Sequence, residues 1–234
     1  MKALILAGGR GRRLGKRTTS GNKCMLLMKK RPILEYNIER AAEIDEIDEI
    51  IIVIGYGAEK IVNNFGISYQ GKKISYVIQW EQKGLVHAIE CAKDLVGHDD
   101  FFLMLGDEIL EESKHKEMME EFKNKKYFGL CGVAIQTDRN EIRRTYTVLM
   151  ENDRILRLIE KPRNPMNDVQ GTGHCVFRSK ILDYIDRTPI HPERKEKELP
   201  DLIQSAVDDG QMFGIFKICK KYANINSEED LTRL

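Results

Sequence analysis

The chain has 234 residues, 41% of them hydrophobic, and its 38 basic and 37 acidic residues leave a net charge of +1. This composition is sufficient for one full-sized core and predicts a single domain over residues 1–234. A nearly neutral chain has no overall field that would attract nucleic acid or a membrane surface, so neither is expected as a partner. Any recognition of phosphate must therefore be local.

The five cysteines are widely spaced and form no C-x-x-C pair. Such a set is typical of reduced thiols and speaks against a disulfide framework or a zinc site. Strand-forming residues begin at position 3, where a signal segment would lie, and no apolar run approaches the length of a transmembrane helix. We therefore expect a cytoplasmic protein.

The chain opens with a strand that breaks into a loop of glycine and arginine. The apolar run of residues 3–7 predicts a strand covered on both faces of a parallel sheet. The loop that follows contains Gly8, Gly9, Arg10, Gly11, Arg12 and Arg13. Glycines let the backbone approach a ligand and offer N–H groups to anions, while arginines suit phosphate oxygens. The pattern favours a phosphate-binding loop over an ordinary glycine-rich turn.

Two familiar phosphate-binding motifs do not fit this loop. The Walker A motif needs four residues between its glycines and a hydroxyl after the lysine. Only three residues separate Gly11 from Gly15, and Arg17 follows Lys16. The dinucleotide fingerprint needs a third glycine where Leu14 stands.

The rest of the first half predicts alternating strands and helices. Strands are predicted over residues 49–54, 73–79 and 100–105, and helices over residues 32–42, 59–65 and 85–96. This alternation predicts an α/β sheet with right-handed crossovers. Ligands of such sheets bind at the carboxyl ends of the strands, where Gly8, Gln79 and Asp107 fall.

The second half is less regular and predicts strands that complete a mixed sheet. The predicted strands cover residues 128–135, 145–150, 155–159, 170–177 and 212–218. Helices are predicted over residues 115–125, 179–185 and 199–208, with a last short helix capped by Ser227. The helix at 115–125 is rich in Glu and Lys, and it is expected to be amphipathic with a solvated face.

The glycine-arginine loop resembles the L-A-G-G-x-G-T-R-L signature of the sugar-phosphate nucleotidyltransferases, with Arg12 in place of the usual Thr or Ser. Residues 23–36 resemble the family's K-x-L-L-P-V-x-G-K-P-I-L-E-Y, with Asn22 in place of the preceding Pro. Further motifs follow in family order over nearly the whole chain. The resemblance implies a Rossmann-like nucleotidyltransferase fold (GT-A-like) of the α/β class, with a mixed, mostly parallel central sheet flanked by helices. Residues 1–110 would bind the nucleotide and residues 111–234 the acceptor.

The resemblance also implies a reaction. A phosphate oxygen of the acceptor attacks the α-phosphorus of a nucleoside triphosphate (NTP), and pyrophosphate leaves. The attacking group is already an anion, so the chemistry requires orientation and cations more than a strong base. Arg13, Lys23 and Lys161 are the implied catalytic residues, although each could instead be a plain surface cation.

The implied nucleotide-binding set combines the loop with a later segment. Its members are Leu6, Ala7, Gly8, Gly9, Gly11, Arg12, Arg13, Lys23, Gln79 and Gly84. A direct role for Arg10 or Arg12 is left open.

The segment from Gln79 to Ala88 resembles the Q-x-x-x-x-G-L-A-x-A of glucose-1-phosphate thymidylyltransferases and the G-L-G-H-A of bacterial uridylyltransferases. Gln79 suits the edge of a pyrimidine, without indicating CTP, UTP or dTTP; His87 is expected to be structural.

Asp107 matches the family's L-G-D aspartate, which implies a ligand for Mg²⁺ as cofactor. A turn residue is the alternative interpretation. The second metal ligand is Asn226 or Asn224, depending on which family motif the segment before Ser227 is aligned with. We favour Asn226 because it directly precedes the predicted helix cap.

The acceptor-binding residues implied by the resemblance are Glu160 and Lys161 in the E-K-P motif, Gly173 and Glu198. Gly171 stands where the family has a sugar-contacting asparagine. Because this asparagine is missing, an alternative function stays open: a CTP-dependent cytidylyltransferase for a non-sugar acceptor such as phosphocholine or 2-aminoethylphosphonate. A catalytically inactive nucleotide-sensing paralogue is a further alternative, although it would have no reason to keep Arg13, Lys23, Asp107 and Lys161 together.

Relatives form dimers and tetramers, so a homo-oligomer is a further expectation.

Overall fold

The structure is a computed structural model that describes residues 1–9, 22–226 and 230. The predictions for Arg10, Gly11, Arg12, Arg13 and the Ser227 cap lie outside the described residues.

The described residues form strands joined by helices of three turns or fewer. The strands are β1 (Lys2–Leu6), β2 (Leu27–Met28), β3 (Arg31–Pro32), β4 (Glu49–Ile54), β5 (Ser68–Tyr69), β6 (Lys72–Ile78), β7 (Phe101–Leu105), β8 (Glu108–Glu111), β9 (Gly129–Ile135), β10 (Tyr146–Glu151), β11 (Arg154–Glu160), β12 (Val169–Phe177), β13 (Phe213–Lys217) and β14 (Lys221–Asn224). The α-helices are α1 (Ile33–Ala42), α2 (Ala58–Phe65), α3 (Leu85–Cys91), α4 (Lys93–Val96), α5 (His115–Asn124), α6 (Arg139–Ile142) and α7 (Leu199–Asp208). Short 3-10 helices cover Lys23–Met25 and Ser179–Tyr184.

Ten strands form one mixed sheet in the order β10-β11-β13-β9-β12-β7-β1-β4-β6-β5. The neighbours β7, β1, β4 and β6 run parallel, as expected for strands joined by helical crossovers. β12 pairs antiparallel with both β7 and β9, so it links the strands of the first half to those of the second. Because β1, β6 and β7 point the same way, their carboxyl ends meet at one edge of the sheet.

The core lies on both faces of this sheet. Alternate residues of β1 enter different clusters: Ala3 and Ile5 pack with α1 and α5, whereas Leu4 packs with α3 and α7. Burial on both faces explains why the strand is a continuous apolar run rather than an alternating one. The predicted mixed sheet flanked by helices is confirmed.

One predicted helix differs from the structure. The helix predicted over residues 85–96 is two helices, α3 and α4, because Ala92 adopts φ −90° and ψ −2° and ends the first.

The helix α5 is amphipathic, as the sequence predicts. It buries Met118, Met119 and Phe122 in the core, whereas Glu120 and Lys123 are exposed.

No helix among residues 1–9, 22–226 and 230 is long and apolar enough to cross a membrane.

Candidate active site

A cleft of about 640 Å³ opens where β1, β6 and β7 end. Eight of the predicted site residues line it: Leu6, Gly8, Gly9, Lys23, Gln79, Gly84, Asp107 and Asn226. Ala7, also predicted, is buried beneath this surface. The cleft therefore gathers residues from positions 6 to 226 of the chain at one edge of the sheet.

Lys23 lies at the centre of the charged part of the cleft and is only 8% exposed. Its ammonium group forms an ion pair with Asp107, and its Nζ lies 3.3 Å from Oδ1 of Asn226. The ion pair compensates a charge that would otherwise be costly to bury. Two oxygens predicted to bind a metal thus already face one cation.

Asn22 holds the turn that carries Lys23. Its Oδ1 accepts a hydrogen bond from the backbone N–H of Cys24 at 2.8 Å, as a helix-capping side chain does. Its Nδ2 donates to the carbonyl oxygens of Ala7 at 2.5 Å and Tyr56 at 2.9 Å. A proline at this position could make none of these side-chain bonds. Asn22 therefore fixes Lys23 relative to the ends of β1 and β4.

The two candidate asparagines are separated by the structure. Asn226 lines the cleft beside Asp107, whereas Asn224 lines a second cavity of about 290 Å³. Nδ2 of Asn226 donates to Oδ1 of Asn224 at 2.8 Å, which leaves the oxygen of Asn226 directed toward Lys23. The arrangement favours Asn226 as the metal ligand, and this assignment stays a prediction.

A divalent cation would find few protein ligands here. The described residues contain no group of three or more His, Cys, Asp or Glu side chains that could hold a metal ion. Asp107 and Asn226 would supply one carboxylate and one amide oxygen. Mg²⁺ commonly binds through one or two carboxylates together with substrate phosphates and water. The residues present fit an ion that arrives with a nucleotide.

Gln79 follows β6 and is 5% exposed at the wall of the cleft. Its Nε2 donates to the carbonyl oxygen of Gly84 at 3.0 Å and lies 3.1 Å from Nδ1 of His87. Gly84 has φ +95°, and a Cβ there would approach Oε2 of Glu196 to 2.6 Å. Both the backbone conformation and the lack of space require glycine at this position.

The predicted acceptor residues lie beside the cleft rather than in its lining. Glu160 ends β11 and pairs with Lys161 at 3.0 Å. Glu198, at the start of α7, forms an ion pair with Arg194. Burial raises the pKa of Glu160, and the charge of Lys161 opposes that shift. Burial and the neighbouring charge of Glu198 likewise raise the pKa of Glu196, which lines the cleft.

The glycines of β12 lie against large side chains. A Cβ on Gly171 would come within 2.2 Å of the ring of Tyr146, and one on Gly173 within 2.1 Å of Cγ of Leu105. The backbone N–H of Gly173 donates to Oε2 of Glu108 at 2.8 Å. The ring of Tyr146 therefore occupies the space into which a side chain at position 171 would extend.

The sequence did not single out several residues of the site. Cys24, Gln82, Leu85, Ala88, Leu105 and Glu196 also line the cleft. Arg194 was not predicted either, yet its Nη2 is buried and has no hydrogen-bond partner among the described residues. The dense run of charged residues at 193–198 was the feature of the sequence that could have drawn attention to Arg194 and Glu196. A run of this kind is usually a solvated loop, so it did not indicate a site.

Comparisons with known proteins agree with this architecture. A family model described as nucleotidyl transferase matches residues 2–222. The chain is 37% identical over 213 residues to the low-salt glycan biosynthesis nucleotidyltransferase Agl11 of Haloferax volcanii. This match covers 90% of this chain and 58% of Agl11. It is 29% identical over 233 residues to the UTP–glucose-1-phosphate uridylyltransferase AglF of the same organism, covering 98% of this chain and 93% of AglF.

A solved structure from Bacillus anthracis, provisionally named a glucose-1-phosphate thymidylyltransferase, superposes with a TM-score of 0.89 at 26% identity. The match covers 100% of this chain and 93% of that one. The chain spans little more than half the length of Agl11. On the family model and these relatives, the chain belongs to the nucleotidyl transferase family.

Proposed function

We propose that this protein transfers a nucleoside monophosphate from a pyrimidine NTP to a sugar 1-phosphate or a similar phosphorylated acceptor, with release of pyrophosphate. The observation that carries the proposal is the convergence of Lys23, Asp107, Asn226 and Gln79 on one cleft. Lys23 supplies a cation, Asp107 and Asn226 supply two oxygen ligands, and Gln79 supplies an amide. The chain also belongs to the nucleotidyl transferase family, which supports the same reaction. The uridylyl and thymidylyl transfers in the relatives' names support a pyrimidine.

The work of this site is to orient two polyanions and to neutralise charge as the transfer proceeds. A bond forms between an acceptor phosphate oxygen and the α-phosphorus, while the bond from the α-phosphorus to the bridging oxygen of pyrophosphate breaks. Lys23 is held by Asp107 and by the turn that Asn22 caps, so its charge is fixed near the reacting phosphates. A cation positioned in advance stabilises developing charge without reorganisation. Arg13, assigned to the β- and γ-phosphates by resemblance, is part of the proposal.

Mg²⁺ is the proposed cofactor, held by Asp107 and Asn226 together with the phosphates of the nucleotide. When bound, it neutralises phosphate charge and helps to align the leaving pyrophosphate. The protein's contribution is the placement of both oxygens beside Lys23.

Recognition of the acceptor phosphate is assigned to Lys161 and Arg194. Nη2 of Arg194 is a buried donor with no partner in the described part of the chain, and the same guanidinium is oriented by Glu198 through Nε. A buried donor without a partner is costly, and an anionic ligand would satisfy it. Lys161 lies at the end of β11 with φ +45°, where its backbone N–H donates to Thr145 at 2.6 Å.

A second candidate is cytidylyl transfer to a non-sugar acceptor that carries a cation. The ring of Tyr146 excludes a sugar-contacting side chain at position 171. Glu160, Glu196 and Glu198 lie close to one another on this side of the cleft, beside Lys161 and Arg194, and their carboxylates would favour an acceptor that carries a cation.

The test is pyrophosphate release from CTP, UTP, dTTP, ATP and GTP with Mg²⁺. Each is combined with a panel of sugar 1-phosphates, amino-sugar 1-phosphates, phosphocholine and 2-aminoethylphosphonate. We expect release with a pyrimidine NTP and one class of acceptor. Release with CTP and phosphocholine or the phosphonate alone would establish the second candidate. Tight NTP binding without release in any combination would contradict transfer and favour a nucleotide-sensing protein.

The matched variants are Asp107→Asn and Glu112→Gln. Asp107→Asn removes the carboxylate charge from the cleft with little change in shape, and we expect kcat to fall at least about 100-fold. Glu112 pairs with Lys220 on the surface, so its variant removes a carboxylate outside the cleft and should retain activity. Full activity of Asp107→Asn, folded as judged by circular dichroism, would contradict the metal assignment.

A further inference from the structure

The orientation of the Gln79 amide decides what the cleft offers to a base. A glutamine amide can present either a donor NH₂ or an acceptor oxygen. Gln79 is buried at the wall of the cleft, so only one side of its amide can face a ligand. The neighbours of the amide therefore determine the hydrogen-bonding character of the pocket.

Gly84 fixes which end of the amide is the nitrogen. A backbone carbonyl oxygen only accepts hydrogen bonds, so the atom 3.0 Å from the Gly84 oxygen must be Nε2. The alternative assignment would bring two oxygens together. Gly84 has φ +95°, and a Cβ there would approach Oε2 of Glu196 to 2.6 Å, so glycine is required at this position.

His87 uses the second hydrogen of the same nitrogen. Its Nδ1 lies 3.1 Å from Nε2 of Gln79, and since Nε2 has no lone pair to offer, Nδ1 must be the acceptor. The proton of a neutral ring is then on Nε2, which lies 3.8 Å from Sγ of Cys91, one turn further along α3. Burial raises the pKa of Cys91, which keeps it a neutral thiol beside the ring.

Both hydrogens of the Gln79 amide are thus engaged, and Oε1 remains. No hydrogen bond to Oε1 occurs within the described residues. This oxygen faces the loop after β1, since a Cβ on Gly8 would lie 2.9 Å from it, and Gly8 lines the cleft. The amide is therefore held with its acceptor toward the ligand.

We propose that His87 is a positioning residue that fixes the Gln79 amide with its oxygen toward the cleft, so that the pocket selects uracil or thymine over cytosine. Uracil and thymine carry an N3–H donor at the edge where cytosine carries the N3 lone pair. A fixed acceptor oxygen pairs with the donor and meets the lone pair unfavourably. The inference rests on the proposed function, because it assumes that the base binds beside Gln79.

The experiment measures the affinity of UTP and CTP by titration calorimetry, separately from turnover. The wild-type protein is expected to bind UTP at least about tenfold more tightly than CTP, the combined effect of one gained and one opposed hydrogen bond. His87→Phe keeps the ring but removes the acceptor, which frees the amide to turn. We expect UTP affinity to fall about fivefold, with a smaller change for CTP and a higher KM at nearly constant kcat.

Two variants make the result specific. His87→Gln restores an acceptor at this position and should recover the preference for UTP. Glu90→Gln changes an exposed residue of the same helix and should leave both affinities unchanged. If His87→Phe does not fold by circular dichroism, His87→Leu serves in its place.

An unchanged ratio of UTP to CTP affinity in folded His87→Phe, or a wild-type preference for CTP, would overturn the inference. The proposed function fails in a different way: a wild-type protein that binds UTP but releases no pyrophosphate with any acceptor overturns transfer and leaves the role of His87 standing. Failure to bind either triphosphate would overturn both.

Discussion

The ring of Tyr146 fills the space beside Gly171. The glycine lies in β12, where a Cβ would come within 2.4 Å of three ring carbons of Tyr146. Tyr146 is buried, and its hydroxyl donates to the carbonyl oxygen of Thr172 at 3.0 Å. The ring is therefore held in place and cannot move aside at little cost. A side chain larger than that of glycine at position 171 would therefore meet this ring.

Replacing Gly171 by alanine should destabilise the protein. We expect Gly171→Ala to lower the free energy of unfolding by about 1–3 kcal/mol, the usual cost of overpacking a filled core. The measurement is urea denaturation at pH 7. In the double variant with Tyr146→Leu, the cost of the alanine should fall because the ring that it meets is gone.

Gly9→Ala is the control for this prediction, because no atom of the described residues lies within 4 Å of a Cβ at that position. Its stability should change little. A cost of Gly171→Ala that is the same with and without the Tyr146 ring would show that the contact is not its cause.

Single residues of the site were predictable where a strand end or a family motif marks them. Lys23, Gln79 and Asp107 were found in this way, and all three line the cleft. Glu196 and Arg194 were missed because the loop that carries them has no periodicity. The fold brings Glu196 close to Gly84 and leaves a nitrogen of Arg194 without a partner in the part of the chain that the structure describes.

Among the elements, β8 connects the end of β7 at the cleft to β12 and β14. It begins at Glu108, directly after Asp107, and pairs with β14, which leads to Asn226. Oε1 of Glu108 accepts from the hydroxyl of Tyr222 at 2.6 Å, and Oε2 accepts from the N–H of Gly173 at 2.8 Å. One buried side chain therefore joins β8, β12 and β14.

Burial raises the pKa of Glu108 to about 8, so the folded protein holds it largely protonated at pH 7. Glu108→Gln resembles that neutral form, and we expect the free energy of unfolding at pH 7 to change by less than about 1 kcal/mol. Glu108→Ala leaves two buried donors without an acceptor and should cost about 2–4 kcal/mol. Urea denaturation of both variants measures the difference. Equal losses in the two variants would argue against a neutral Glu108.

The sequence predicted the strands that are buried on both faces and missed β8 and β14. The strands that are buried on both faces are apolar runs, so local composition is enough to predict them. β8 and β14 are four residues each and mix polar with apolar side chains, and Leu110 of β8 pairs with Tyr222. Pairing across more than a hundred residues leaves no local pattern, so strands of this kind follow only from the tertiary fold.

At the scale of the whole molecule, two buried histidines join a surface helix to the sheet. Nε2 of His115 in α5 lies 3.0 Å from Nδ1 of His174 in β12. Burial lowers the pKa of His115 from 6.5 to about 3, with the charge of Arg40 adding to the shift. Burial and the neighbouring His115 lower the pKa of His174 well below its usual range. Both rings are neutral in the folded protein.

These two histidines should make the fold sensitive to acid. Below pH about 6.5 the unfolded chain binds protons at both rings, whereas the folded chain does not until the pH approaches the lowered pKa values. Their contribution to stability is thus complete above pH 6.5 and is lost as the pH falls toward 3. For His115 the expected loss is about 1.4 kcal/mol per pH unit, or about 2 kcal/mol at pH 5, and His174 adds a loss in the same direction.

The variant His115→Gln tests this expectation, because it removes one of the two proton-binding groups but keeps a polar side chain beside His174. Between pH 7 and pH 5 its free energy of unfolding, measured by urea denaturation, should fall less steeply than that of the wild type, by about 1.4 kcal/mol per pH unit. Phe122→Leu is the matched control on α5: it removes packing without a titratable group, so it should lower stability equally at each pH. If His115→Gln and the wild type have the same slope, His115 is not held neutral in the folded protein. The coupling of α5 to the sheet would then depend on packing alone, because Met118, Met119 and Phe122 would remain as its attachment.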